Sequence, residues 1–160
     1  MNKNAIKGFT LIETLVFIAI LSLFFVVAAA ISTATLHNMQ ATEHKIIATR
    51  YAEELSAWLR YKKESNWGAF YTSASPVNPG DTSVSYCFDG PISDTWPSPN
   101  TTCLSNGITG SNNEKIYKRM ATLTVDSSIP QVNATVVVSW SDGNATNNIT
   151  MRTAYTLWEK

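Results

Sequence analysis

From Phe9 to Trp67 the sequence has no glycine, and no proline occurs before Pro76. These residues are the usual breakers of a helix, so their absence permits one uninterrupted helix of about 85 Å at 1.5 Å per residue. Charge is equally scarce at this end: Lys3 and Lys7 are the only charges before Glu13. Over the whole chain, twelve Lys and Arg face twelve Asp and Glu, which leaves no cationic excess of the kind that neutralises phosphates and speaks against a nucleic-acid partner. Histidine is limited to His37 and His44. Seven residues of helix separate them by ~10 Å, too far to share a metal, so a surface or subunit-contact role is the plainer reading. No phosphate-cradling loop, nucleophile elbow or HExxH string occurs. We therefore expect no enzyme, no cofactor and no metal. At 160 residues, a second full domain beside an accessory segment is also excluded.

What the chain does have is an apolar run, FTLIETLVFIAILSLFFVVAAAI, over Phe9–Ile31. About 20 such residues cross a bilayer as a helix. Lys3 and Lys7 precede it, so the positive-inside rule leaves the N-terminus in the cytoplasm and exports everything after about residue 32. Without those two lysines, ten basic residues remain against twelve acidic, and the exported part is slightly acidic. A secretory signal cut near Ala28-Ala29-Ala30, or an uncleaved anchor, is compatible with this layout. Neither explains Glu13, because a carboxylate within a membrane helix costs about 2.5–3.5 kcal/mol on insertion scales and asks for a partner.

The string Gly8-Phe9-Thr10-Leu11-Ile12-Glu13, between a short basic leader and the apolar run, resembles the prepilin cleavage motif of type IV pilins and type II secretion pseudopilins. The resemblance implies a prepilin peptidase that cuts between Gly8 and Phe9 and methylates Phe9. Glycine at the cut lets an extended backbone approach the protease closely. It further implies that Glu13 pairs with the N-terminal amine of a neighbouring subunit as a filament grows from an inner-membrane assembly platform, ending in the periplasm or at the cell surface. The residues alone also allow Glu13 to pair with its own chain's amine, four positions earlier. Many pilins carry a proline in the membrane half of the helix; Val26 to Ile31 has none.

After His37 the pattern becomes amphipathic, with Ile47, Tyr51, Leu55, Trp58 and Leu59 at helical spacing among Glu43, Arg50, Glu53, Glu54 and Arg60. Asn66-Trp67-Gly68 offers a stop, with Gly68 beyond the helix end and Lys62 and Lys63 in its last turns. The sequence then reads as turns, with Val84 to Phe88 a short strand, until three better candidates: Tyr117–Val125, Asn133–Trp140 and Ile149–Trp158. Ser141-Asp142-Gly143-Asn144 makes a hairpin turn that Thr146-Asn147-Asn148 lengthens. The expected fold class is α+β, a long N-terminal helix packed on a C-terminal antiparallel sheet. Its segments are a leader at 1–8, a membrane and filament-core half-helix at 9–31, an amphipathic half at 32–66 and a β-rich head at 67–160.

Cys87 and Cys103 lie in a loop-rich stretch without zinc-site spacing, so a disulfide in an oxidising compartment is expected. Asp81, Asp89 and Asp94 read as solvated loop carboxylates. Lys115, Lys118 and Arg119 form a small basic cluster, a weak signal for DNA. The SNW string at the helix end and the C-terminal hairpin resemble minor pilins and minor pseudopilins, so the expected function is that of such a subunit in a pilus, secretion or DNA-uptake filament. The alternative from another class is a monomeric, membrane-anchored or secreted extracytoplasmic binding protein.

Overall fold

A computed structural model describes residues 10–76, 78, 80–88, 90–100, 103, 107–109, 115–126, 128–142 and 145–157. The Gly8–Phe9 junction, Asp89 and the Gly143-Asn144 tip of the C-terminal hairpin lie outside them. The element order is α1 (Leu11–Ser65), α2 (Trp67–Ala74), β1 (Val84–Cys87), β2 (Ile108–Thr109), β3 (Lys115–Asp126), β4 (Gln131–Asp142) and β5 (Ala145–Thr156). The chain forms two compact units, Met1–Thr42 and Glu43–Lys160.

In the first unit α1 is unbroken, as the missing glycine and proline allow. Its apolar side chains are exposed around the whole circumference, from Leu11 and Ile12 through Phe24 and Phe25 to Ile31. Helices that are apolar on every side belong in a membrane or a large core.

The second unit begins with the rest of α1. Ala48, Ala52, Leu55 and Leu59 are fully buried, spaced four, three and four residues apart, which is one face of a helix. The expected stripe is thus rotated. Leu55, Trp58 and Leu59 belong to the core, whereas Ile47 and Tyr51 only flank it, because two alanines hold the face that meets the sheet.

That sheet is antiparallel, ordered β1-β3-β4-β5, with β2 also on β3. β3 and β4 pair without a break from Tyr117↔Trp140 to Asp126↔Gln131. Along β4 the residues alternate, with Val132, Ala134, Val136, Val138 and Trp140 buried and the intervening Asn133 exposed, the period-two pattern of a sheet covered on one face. β5 pairs with β4 from Asp142↔Ala145 onward. Thr146, Asn147 and Asn148 therefore extend the ladder and do not lengthen the turn.

The helix stop is also placed differently from the expectation. Asn66 takes an extended conformation (φ −157°, ψ 100°), and its side-chain oxygen accepts from the Ala69 N–H at 3.0 Å. Asn66 is the N-cap of a second helix, and Gly68 lies inside that helix. Trp67, Phe70, Tyr71 and Ala74 recur at i, i+3, i+4 and i+7, the signal that identifies α2. Through it Phe70 and Ala74 enter the core, beside Trp96 and Tyr155.

Candidate functional site

Glu13 lies in the first turn of α1, its N–H bonded to the Thr10 carbonyl at 3.1 Å. It is the only Asp, Glu, Lys or Arg from Leu11 to Thr42. The hydroxyls from Thr14 to Thr35 are satisfied by their own helix. The hydroxyls of Thr14, Ser22 and Ser32 donate to the carbonyls of Leu11, Ala19 and Ala28 at 2.8–2.9 Å, and Thr33 and Thr35 do likewise one turn on. Such back-bonding hides a hydroxyl from oil; a carboxylate has no equivalent device. Among the described residues Glu13 has no ion-pair partner.

Around it, thirteen large apolar side chains between Leu11 and Val27 are each at least 41% exposed. Fully burying one such side chain is worth about 1.5–3 kcal/mol. At these exposures the run gains on the order of 10–20 kcal/mol from an apolar surround, which decides against leaving it in water. α1 is long and apolar enough to cross a membrane.

In the second unit, Cys87 and Cys103 are joined as a disulfide, with Cα atoms 5.3 Å apart. The basic cluster does not form. Lys118 is exposed, the Lys115 side chain lies outside the described residues, and Arg119 is 1% exposed and turned into the core. Its guanidinium donates to Glu54 at 2.9 Å, to the Tyr51 carbonyl at 3.3 Å and to the Gly90 carbonyl at 3.1 Å, and it stacks over the Tyr51 ring. Burial pulls its pKa down, and the bond and charge of Glu54 oppose that shift. Arg119 thus joins α1, β3 and the loop after β1. The signal for this was present: Tyr117, Arg119, Ala121 and Leu123 share one parity on β3, so Arg119 shares the inward face.

Of the histidines, the side chain of His37 lies outside the described residues. His44 is partly buried, its Nδ1 2.8 Å from the Tyr117 hydroxyl, a tie between helix and strand that the sequence reading did not foresee. Burial, with Tyr51 and Glu43 nearby, pushes Tyr117 up to about 12. Asp81 accepts from the Asn78 amide at 3.2 Å, and Asp94 faces Lys62 at 3.7 Å. Among the described residues no group of three or more His, Cys, Asp or Glu is placed to hold a metal.

A family model described as the prokaryotic N-terminal methylation motif matches residues 3–29. No curated protein and no solved structure matches the chain. From Leu11 onward that motif lies on a long helix leading into an antiparallel sheet, a pilin-like arrangement similar to that of the type IV pilin and pseudopilin family. The family is a structural one.

Proposed function

We propose that this chain is a minor pilin or minor pseudopilin, a subunit that is trimmed by a prepilin peptidase and built into a filament through α1. In this reading the peptidase removes Met1 to Gly8 and methylates Phe9. The subunit waits in the inner membrane with its N-terminus cytoplasmic and its head outside, and an assembly platform adds it to other pilin or pseudopilin subunits. The observation that carries the proposal is Glu13, the one charge between Leu11 and Thr42, in the first turn of α1. In a low-dielectric bundle an unpaired carboxylate costs several kcal/mol, whereas a paired one roughly breaks even. The freed amine of a neighbouring Phe9 is the partner that trimming creates.

Mass spectrometry of the chain recovered from native membranes or filaments tests this. The expected product lacks Met1 to Gly8 and carries about 14 Da of methyl on Phe9. A chain still starting at Met1, or starting after Ala30, is the outcome of the anchored or secreted binding-protein alternative. The replacement Glu13→Ala leaves trimming intact and removes the subunit from sheared filaments; normal incorporation of this variant excludes the pairing.

A further inference from the structure

Each half of α1 has its own support, and residues 32–42 between them have neither. The run up to Ile31 is apolar and exposed around its circumference, which suits oil. From His44 onward the helix is tied to the sheet, through the Tyr117 hydroxyl and then through buried Ala48, Ala52, Leu55 and Leu59. The boundary between the two compact units falls between Thr42 and Glu43. Every described side chain of residues 32–42 is exposed, and none belongs to the core.

The composition of this stretch does not compensate. Its sequence, STATLHNMQAT, carries no Asp, Glu, Lys or Arg, so no ion pair between successive turns braces it. Ser32, Thr33, Thr35, His37, Asn38 and Thr42 come from the weaker helix formers. The hydroxyls of Ser32, Thr35 and Thr42 donate to the carbonyls of Ala28, Ile31 and Asn38 at 2.8–2.9 Å, and that of Thr33 donates to Ala30 at 3.0 Å. Back-bonding of this kind slightly weakens and bends a helix. Helices in proteins draw most of their stability from packing, and so short a stretch without it is marginal in water.

We propose that residues 32–42 are a helix–coil element that opens locally in the unassembled subunit, while the run before it and the head after it stay folded. This rests on the reading of α1 as membrane-inserted, which holds one end of the element. Exposed backbone hydrogen bonds with few apolar contacts mark the segments of a protein that open at the lowest free energy. Opening lengthens the stretch from about 16 Å of helix to about 36 Å of extended chain. The subunit thereby gains about 20 Å of reach, without drawing the run out of oil or breaking the core of the head. Such slack lets the head engage a filament while the run is still in the bilayer.

Hydrogen–deuterium exchange of the full chain in lipid nanodiscs, read by mass spectrometry, tests it. Amides of residues 36–42 are expected to exchange about a hundredfold or more faster than those of 15–27, held in the bilayer, and those of 52–59, held on the sheet. Thr33→Ala, Thr35→Ala, Asn38→Ala and Thr42→Ala each favour the helix about two- to threefold. The quadruple variant is therefore expected to slow exchange in 36–42 about thirtyfold and to leave 52–59 unchanged. All four replaced side chains are exposed, so no packing is lost. Exchange in 36–42 as slow as in 52–59, or unaltered in the quadruple variant, overturns the proposal and leaves the filament reading standing. Fast exchange in 15–27 as well overturns both, since it takes the run out of the bilayer.

Discussion

Arg119 shows how a single side chain is made tolerable inside a small head. Its guanidinium is 1% exposed, while its carboxylate partner Glu54 remains 51% exposed, so the pair is asymmetric and its two halves differ in what their loss leaves behind. Glu54→Ala strands a buried cation on two carbonyls and is expected to cost about 3 kcal/mol, toward the lower end for a broken buried pair because Glu54 is half solvated. Arg119→Met removes the desolvated charge itself and is expected to cost less. Thermal or denaturant midpoints of the full chain in detergent check this order. Tyr117 supplies a pH signature. Its folded pKa of about 12 lies above the ordinary tyrosine value of about 10, so the stability it contributes is complete below pH 10 and is lost as pH rises toward 12. Burial raises Tyr86 and Tyr155 in the same direction. An unfolding midpoint that falls across this window, and falls less steeply in Tyr117→Phe, is the expected outcome. The burial of Arg119 was legible only through its parity on β3; as a neighbour of Lys115 and Lys118 it reads as a surface cation, because its partners come from residues 65 and 68 positions earlier in the chain.

Elements that depend on local pattern were read well from sequence. α1 follows from the absence of breakers, and β3 and β4 follow from alternation, because covering one face of a sheet imposes a period of two. Elements fixed by distant contacts were not. β2 is two residues held with a register shift against β3, which no periodicity announces. The first half of β5 looks like a polar turn because it is exposed on both faces, and the ladder to β4 alone makes it a strand. α2 was hidden by Gly68, although its apolar spacing and the Asn66 cap were in view. The disulfide closes a loop with a sequence separation of 16, for which chain entropy gives about 3 kcal/mol. Replacing Cys87 and Cys103 by serine together is expected to lower stability by that amount in equilibrium unfolding. The larger consequence is local, since Pro99 and Asn100 rest on β1 within the same loop; amide exchange of Ser85 to Cys87 is expected to speed up more than that of β4.

At the scale of the molecule, every core residue among the described ones lies within Glu43–Lys160, and none comes from the apolar run. A chain starting at Glu43 is therefore expected to be recovered without detergent and with the Cys87–Cys103 bond formed. Gel filtration and a thiol count check this, and aggregation of the shortened chain would show that the first unit supports the second. Among the described residues, polar ties between α1 and the rest of this unit include those at His44, Tyr51, Glu54, Ser56, Trp58 and Lys62. They reach Tyr117, Arg119, Met151, Tyr155, and the backbone of Ser93 and Asp94. These six positions fall within about five turns of one helix. A tensile load applied along α1 would therefore strain these fastenings in shear, several at once, so yielding needs them to fail together. Force spectroscopy would read such a design as brittle strength, with one tall rupture in place of a sawtooth.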